Sequence, residues 1–330
     1  MGLLIGMDEA GYGPNLGPLV ISATAWEIPG DPKRVDLWER FAGIIEQSPP
    51  VENSHIQIAD SKVVYSPARG LENLEFGVLS ALAVWRDGMR GDGGCDTNGA
   101  ENCSFSSFRE LCREIAIQAA SELDGEPWFA GTDHPLPSMP AGSLADGWRD
   151  RCRKHKIRLR AVCCDVVLTQ RFNTQTRTND NKGEALSEMS MQVLRHILEK
   201  VNADDHKTVL IFADKHGGRN RYHEFLPIVF GDQFIRCHRE SMEQSRYRVG
   251  NAEICFETKS ERHFPVALAS MVSKYVRELA MILFNRFWAD RQPGLKRTAG
   301  YPTDSRRFRD DIAALQKQLG IADDVLWRER

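Results

Sequence analysis

The sequence predicts an α/β fold in which a mixed central sheet is flanked by helices. Two observations support this class. Short apolar runs of the kind that form strands occur at residues 3–8, 18–28 and 208–213. Longer segments at 71–86 and 184–201 carry apolar residues at helical spacing instead. Because strand-type and helix-type segments follow one another along the chain, we expect the helices to pack against one sheet.

The remaining elements follow from the same patterns, in chain order. Strands 3–8 and 18–28 are separated by a short glycine-containing turn, so we expect them to pair. The full set of predicted elements comprises strands at 3–8, 18–28, 158–168, 208–213, 233–237 and 252–257 and helices at 71–86, 105–123, 184–201 and 265–287. Ser104 or Ser106 is predicted to cap the helix at 105–123.

Two adjacent acids, Asp8 and Glu9, follow directly on the first apolar run, and Gly11 and Gly13 follow them. Neighbouring carboxylates at the end of a buried strand are costly, because burial and mutual repulsion both oppose ionisation. A hard divalent cation bound by oxygen ligands would offset that cost. Glycines allow the backbone to turn sharply and to approach a ligand closely. The alternative is a charged hairpin turn without a metal.

The string at residues 8–14, Asp-Glu-Ala-Gly-Tyr-Gly-Pro, resembles the opening motif of the type 2 ribonucleases H, ribonucleases HII and HIII. Those enzymes read Asp-Glu-Ala-Gly-Arg-Gly or a close variant. Four more segments match the family in the same order, over about residues 3–85 and 160–310. They are Asp60-Ser61-Lys62, the apolar strand that ends in Asp214, the acid-bearing turn at 257–261 with the small-residue helix after it, and Gly300-Tyr301-Pro302-Thr303. Residues 171–183 and the Thr-Lys-x-Glu form of the turn resemble ribonuclease HIII.

The resemblance implies a ribonuclease H-like fold and a set of catalytic, metal-binding acids: Asp8, Glu9, Asp214 and Glu261. These would hold two ions, Mg²⁺ or Mn²⁺, in the active complex. The position of the fourth acid is open, because the family's aspartate aligns with Ser260. A shift of one residue brings Glu261 there, and Glu257 is the fallback. For each acid the alternative is a salt-bridged or solvated surface carboxylate.

The resemblance also implies a set of substrate contacts. In ribonuclease HII a Gly-Arg-Gly turn grips the RNA–DNA junction, and here Gly11, Tyr12 and Gly13 occupy that place. The missing arginine puts recognition of a single ribonucleotide in question. Tyr301 matches a family tyrosine that stacks on a sugar, with a core tyrosine as the alternative. Lys62 is predicted to contact a phosphate, with a solvated lysine as the alternative.

Composition sets the outer limits. The chain has 330 residues and a net charge of −3, with no apolar run of the length that spans a bilayer, so we expect a cytoplasmic protein that is not a general nucleic-acid coat. We expect a single catalytic domain over 1–330 with an internal insertion at about 90–150, where Gly-rich 90–102 and Pro- and Gly-rich 124–147 predict irregular loops. None of the eight cysteines forms a Cys-x-x-Cys pair, which favours reduced thiols over disulfides or zinc. Basic side chains cluster at 149–160, where they would suit phosphate contacts or a solvated face.

Taken together, these features predict a monomeric endoribonuclease that cuts the RNA strand of RNA–DNA hybrids by a two-metal mechanism. The products implied by the resemblance carry 3′-hydroxyl and 5′-phosphate ends. Two alternatives stay open. One is a ribonuclease H-fold nuclease acting on DNA junctions, and the other is a hybrid-binding protein without catalytic activity. His216, beside Asp214, is not expected to be a general base, because a metal-activated water needs none.

Overall fold

A seven-stranded mixed sheet forms the centre of the protein, as predicted for the α/β class. The computed structural model describes residues 1–51, 54–89, 105–138 and 144–329. The strands of this sheet lie in the order β5-β2-β1-β6-β9-β8-β7, and β3 and β4 form a separate pair. The strands are β1 Gly2–Ala10, β2 Leu19–Ile28, β3 Ile45–Glu46, β4 Ile56–Gln57, β5 Arg158–Val167, β6 Thr208–Asp214, β7 Ile235–Glu240, β8 Gln244–Val249 and β9 Ala252–Glu257.

Helices cover both faces of the sheet, with α9, α3 and α5 against one apolar core and α7 against the other. The helices are α1 Leu37–Phe41, α2 Ser61–Val64, α3 Glu72–Met89, α4 Phe108–Ile115, α5 Leu144–His155, α6 Thr169–Asn179, α7 Lys182–Lys200, α8 Pro227–Phe230, α9 Phe264–Arg291, α10 Pro302–Leu319 and α11 Asp323–Leu326. No helix among the described residues is long and apolar enough to cross a membrane.

Strand direction determines where the ends of β1, β6 and β9 lie. β1 pairs in parallel with β6, Met7 opposite Ala213, and β6 pairs in parallel with β9, Asp214 opposite Glu257. β2 and β5 run antiparallel on the other side of β1. The carboxyl ends of β1, β6 and β9 therefore meet at one end of the sheet.

Helix α9 packs directly across β1, and the sequence accommodates this at one glycine. A Cβ added at Gly6 would lie 2.2 Å from the backbone of Pro265, at the start of α9. The Thr24 hydroxyl on β2 donates to the Pro265 carbonyl at 2.9 Å, which holds the same helix end. This close approach brings the first turns of α9 beside the carboxyl end of β1.

The predicted helix at 105–123 is wrong in extent and in its cap. The structure has α4 from Phe108 to Ile115, capped by Ser107, whose hydroxyl accepts from the Glu110 amide. The chain then leaves the helix because Ala116 forms a β-bridge with Cys164 of β5. Ser106 instead bonds the Glu110 carboxylate, and Ser104 lies outside the described residues. Pairing with a distant strand has overridden the local helical pattern.

Other predicted bounds shift less. The strand predicted at 233–237 lies at 235–240, and β8, α6 and α10 were not predicted. The six cysteines within the described residues are free thiols; Cys95 and Cys103 lie outside them. The loop predicted at 90–102 falls on residues that the structure does not describe.

The predicted insertion is packed into the main core wherever the structure describes it. Phe105, Phe108, Trp128 and Trp148 are fully buried in the core that contains α3 and α9. The Trp128 ring lies edge-on to Phe284 of α9, with centroids 4.9 Å apart. Residues 105–138 therefore pack into the core on the α3 and α9 side of the sheet. The division of the chain into one domain with an insertion remains a prediction.

Candidate metal and nucleic-acid site

The structure brings four predicted acids together at the carboxyl end of β1 and β6. Asp8 and Glu9 belong to the last residues of β1, and Asp214 ends β6. Glu261 lies in a 3-10 turn, Ser260–Arg262, that follows β9 and leads into α9. The charge of Asp214 raises the pKa of Asp8, of Glu9 and of Glu261, so the four side chains lie near one another. The cluster is thus assembled from three separate elements by the parallel pairing of the strands.

Burial and mutual repulsion make these acids hard to ionise. Asp8 is 8% exposed, and its burial and then the charge of Glu9 hold its pKa well above the usual range. A hydrogen bond with Ser270 of α9 partly opposes this. Burial and then the charge of Asp214 raise the pKa of Glu9 to about 7, whereas Lys62 lowers it. The site therefore lacks enough positive charge of its own to balance its carboxylates.

Asp214 is oriented by Ser260, the residue that aligns with the family's aspartate. The Ser260 hydroxyl donates to Asp214 Oδ1 at 3.1 Å. Burial raises the pKa of Asp214 despite this bond, and burial with the charge of Asp214 also raises the pKa of Glu261. The structure thus places a carboxylate within the cluster at Glu261, one residue after the aligned position, and gives Ser260 a supporting contact.

The fallback acid, Glu257, is engaged elsewhere. It is 2% exposed, pairs with the guanidinium of Arg262 and lies 2.8 Å from His263 Nε2. Burial opposes ionisation of Glu257, but the His263 hydrogen bond and the charges of His263 and Arg262 bring its pKa below the usual value. A carboxylate already neutralised within the protein has little need of a metal, so Glu257 does not fit the ligand set.

Lys62 is a cation that faces the acid cluster. The Asp60 side chain caps α2 by accepting from the Lys62 amide, which sets the start of this short helix beside the site. Burial opposes the charge of Lys62, but Asp60, Asp8 and the other acids raise its pKa. An exposed lysine held against carboxylates can exchange that contact for a phosphate.

The glycine turn after β1 forms one wall of the site. Gly11 has φ +94°, and a Cβ there would lie 2.5 Å from the Arg277 side chain, so only glycine fits. Gly13 lies beside the Tyr301 ring, which is 50% exposed. Tyr301 is therefore available at the surface next to the turn and is not a core residue.

Tyr12 opens onto a groove that sequence reasoning did not assign. The groove has a volume of about 700 Å³, and Asn181, Lys182, Arg219 and Arg221 line it with Tyr12. The Lys182 ammonium lies 4.4 Å from the centre of the Tyr12 ring. Burial and the charge of Glu9 raise the pKa of Tyr12, so the groove adjoins the acids. The one sequence signal for this groove was the resemblance of residues 171–183, which include Asn181 and Lys182, to a ribonuclease HIII segment.

The basic residues at 149–160 lie far from this site. Arg160 pairs with Glu27 at 3.2 Å, and Glu27 is opposite Leu3 in the β1–β2 pair. Leu3 and Asp8 are separated by five residues of extended strand, which is about 17 Å. Arg153 pairs with Asp87 at 3.0 Å. Arg153 and Arg160 therefore serve ion pairs within the fold, and Arg160 lies at the opposite end of the sheet. His216, in turn, is buried against the Ser187 hydroxyl at 3.1 Å.

The donor chemistry of the acid cluster fits hard divalent cations. Among residues 1–51, 54–89, 105–138 and 144–329, no group of three or more His, Cys, Asp or Glu side chains stands arranged to hold a metal ion. Mg²⁺ keeps several waters and is often bound by only one or two carboxylates, so it needs no such cage. Carboxylates whose charge is uncompensated, with raised pKa values, are the ligands that such an ion would stabilise.

Fold and site together define a class: a mixed α/β protein with a cluster of uncompensated carboxylates at the ends of parallel strands. No protein-family model matches the sequence, and no curated protein matches it. Its structure resembles the RNase HII of the Archaeoglobus fulgidus PCNA:RNase HII complex (TM-score 0.40, 13% identity, 99% of this chain and 94% of that one). It also resembles the Pyrococcus horikoshii ribonuclease H2, with a TM-score of 0.40 and 14% identity over 98% of this chain and 92% of that one. Bst-RNase HIII in complex with Mn²⁺ gives a TM-score of 0.39 and 15% identity over 99% of this chain and 66% of that one. A likeness of this size carries no conclusion about activity.

Proposed function

We propose that this protein is a type 2 ribonuclease H, a metal-dependent endoribonuclease that hydrolyses the RNA strand of RNA–DNA hybrids. The observation that carries the proposal is the meeting of Asp8, Asp214 and Glu261, from three separate elements, at one end of the sheet. Their charges are not balanced within the protein, and this is costly unless a cation joins them. The order of the matching sequence motifs supports the same assignment.

The predicted ligands of Mg²⁺ or Mn²⁺ are Asp8, Glu9, Asp214 and Glu261. Two such ions, when bound, supply an activated water and neutralise the charge that develops on the phosphate. Hydrolysis would leave a 3′-hydroxyl and a 5′-phosphate.

The chain's own groups hold the substrate. Lys62 is placed to donate to a phosphate oxygen and to stabilise negative charge there. Ser260 keeps the Asp214 carboxylate aligned through its 3.1 Å hydrogen bond. The Gly11–Gly13 turn and the exposed Tyr301 ring offer a surface for the sugar–phosphate backbone, because backbone amides and flat rings are common contacts to it. The groove with Lys182 and the exposed Arg221 would receive the neighbouring part of the duplex.

Two end-labelled duplexes test the proposal, one with a long RNA tract against DNA and one with a single ribonucleotide in DNA. We expect the tract to be cut in Mg²⁺ or Mn²⁺ and the products to carry 3′-hydroxyl and 5′-phosphate ends. Cutting of the single-ribonucleotide duplex as well would show that Tyr12 replaces the family's arginine. Asp8→Asn is the inactive reference, and Asp205→Asn, an exposed acid near the far end of β6, is the matched control.

Two results would overturn the proposal. Retained binding of the hybrid without cleavage in either metal would identify a binding protein without catalytic activity. Cleavage of a four-way DNA junction, with the hybrid left intact, would identify a nuclease of different specificity. In both cases the wild-type chain must be folded, which its thermal unfolding transition establishes.

A further inference from the structure

Two buried arginines lie beneath the glycine turn, and neither was singled out by the sequence. Arg277 of α9 is 1% exposed and Arg328 is 3% exposed. Arg328 donates to the carbonyl oxygens of Gly11 and Pro14. Arg277 donates to the carbonyls of Leu16, at 3.4 Å, and of Ala299, at 3.1 Å. Arg328 thus binds two carbonyl oxygens of the turn, and Arg277 links Leu16, just after the turn, to Ala299, although buried charges are expensive.

These bonds determine which side of the turn faces outward. In a trans peptide the carbonyl and the amide of one unit point in opposite directions. Because the Gly11 carbonyl is drawn inward to Arg328, the Tyr12 amide of the same peptide points away from the buried side. An amide directed outward is the arrangement that a phosphate or sugar oxygen requires.

The segment that carries Arg328 is itself anchored from several sides. The Arg328 amide donates to the Asn15 carbonyl at 2.9 Å, so backbone and side chain both contact the turn. Asn173 of α6 donates to the Trp327 carbonyl and accepts from the Glu329 amide, each at 2.8 Å. The guanidinium lies 4.9 Å from the centre of the Phe172 ring. These contacts fix Arg328 independently of any ligand.

Some N–H donors of both arginines have no hydrogen-bond acceptor. The Nε atoms of Arg277 and Arg328 and Nη1 of Arg328 are buried without a hydrogen-bond partner in the protein. Each guanidinium also lies within the other's field: burial and then the charge of Arg277 lower the pKa of Arg328 to about 9. Glu278 lies 3.6 Å from Nη1 of Arg277, and Glu126 acts on Arg328, so these carboxylates partly offset the repulsion between the two guanidinium groups.

We infer that Arg328 is a positioning residue for nucleic-acid binding, because its buried guanidinium fixes the turn at Gly11 and Tyr12 in the form that presents the Tyr12 amide to the substrate. The inference rests on the proposed function and adds to it a part of the chain, residues 323–329, that no family motif covers. Both hydrogen bonds come from one nitrogen, Nη2, whose two hydrogens have directions fixed by the planar guanidinium, whereas the hydrogens of a lysine ammonium rotate freely.

The test combines binding of an RNA–DNA hybrid without divalent metal, hydrogen exchange of residues 11–17, and steady-state cleavage. In Arg328→Gln we expect Kd to rise about tenfold, since two charge-assisted hydrogen bonds that order the turn are lost. The turn amides should exchange faster, and KM should rise while kcat changes less than about threefold. Arg328→Lys keeps the charge without the planar guanidinium, so it should recover only part of the affinity.

Arg177→Gln is the matched control. Arg177 pairs with Asp324 and Glu329 of the same segment at the surface, each at 2.5 Å, but does not contact the turn. It should change affinity and exchange by less than about twofold. Should Arg328→Gln fail to fold, Arg328→Lys carries the comparison.

Unchanged exchange at the turn in both Arg328 variants would overturn the inference, as would faster exchange with unchanged hybrid affinity. A wild-type protein that does not bind the hybrid would refute the proposed function instead, and it would remove the nucleic-acid part of the inference with it. The exchange measurement would then still decide whether Arg328 orders the turn. The two failures are therefore distinguishable.

Discussion

The two ends of the central sheet carry charged side chains in contrasting situations. At the end where β5 begins, Glu27 pairs with Arg160, and on the helices nearby Asp87 pairs with Arg153. At the other end, Asp8 and its neighbours face one another with Lys62 as a partial counter-charge, and their pKa values are raised. Charges that the protein pairs internally serve the fold, whereas uncompensated charges indicate a site that awaits a ligand from outside.

The same contrast recurs between directly opposed residues of β6 and β9. Asp214 and Glu257 are partners in the register, yet the pKa of Asp214 is raised by burial, and that of Glu257 falls below the usual value because His263 and Arg262 outweigh its burial. Strand register alone therefore does not separate a candidate metal ligand from a carboxylate that serves the fold. The ion-pair and hydrogen-bond partners of each carboxylate make that distinction.

The largest expected effect follows substitution of the uncompensated acids. Asp8→Asn or Asp214→Asn should lower kcat for hybrid cleavage by on the order of 100-fold or more, because a ligand of the ions is lost. The same changes should raise the stability of the metal-free protein, since a repelling buried charge is removed. Cleavage assays and urea unfolding in EDTA measure the two effects. Cleavage at wild-type rates in either variant would contradict the assignment.

Removing the cation of the site should have a smaller effect. Lys62→Ala should reduce kcat/KM by roughly tenfold, because one charge-assisted contact to the phosphate is lost. Lys62→Arg, which keeps the charge, should retain most of the activity. An equal loss in both variants would show that charge is not what Lys62 contributes.

Glu257→Gln should affect stability and leave metal binding intact. Losing the ion pair with Arg262 should cost about 1–3 kcal/mol in the free energy of unfolding at pH 7. The pKa of Glu257 is lowered on folding, so its contribution is present above the ordinary glutamate pKa and is lost as pH falls through the folded value. Urea unfolding of wild type and variant from pH 7 to pH 3 should show the difference shrink. A difference that grows towards low pH would exclude this pairing.

The smallest expected effects separate the two basic regions. Arg221→Gln, in the groove beside Tyr12, should weaken hybrid binding several-fold, because the Arg221 side chain is 86% exposed; it should also reduce the slope of log Kd against log salt concentration by about one. Arg160→Gln, at the far end, should change Kd by less than about twofold. Anisotropy titrations at several salt concentrations measure both. Equal losses in the two variants would mean that the duplex extends over the far end of the sheet.

Much of the fold and part of the candidate site could be predicted from the sequence. Strands β1, β2, β5, β6 and β9 are short apolar runs of ordinary type, and their local pattern predicts them within a few residues. Asp8, Glu9 and Asp214 are recognisable because each stands at the end of such a run and within a family motif. Their proximity, however, depends on parallel pairing that no local pattern shows.

What could not be predicted depends on contacts between distant parts of the chain. The segment after Ile115 leaves the helix because Ala116 pairs with Cys164, which lies 48 residues further on. Arg328 contacts Gly11 across 317 residues. The choice between Glu257 and Glu261 required the partners Arg262 and His263 to be located. Spacing and composition carry no signal for any of these.

The most direct test of the central claim is a titration with Mn²⁺ or Mg²⁺, followed by thermal unfolding of the wild type, Asp8→Asn, Asp214→Asn and Glu257→Gln. A ligand that binds only the folded state raises the midpoint with its concentration. We expect a metal-dependent rise of the midpoint for the wild type and Glu257→Gln, and little or none for Asp8→Asn and Asp214→Asn. A rise of equal size in all four proteins, or none in the wild type, would contradict it.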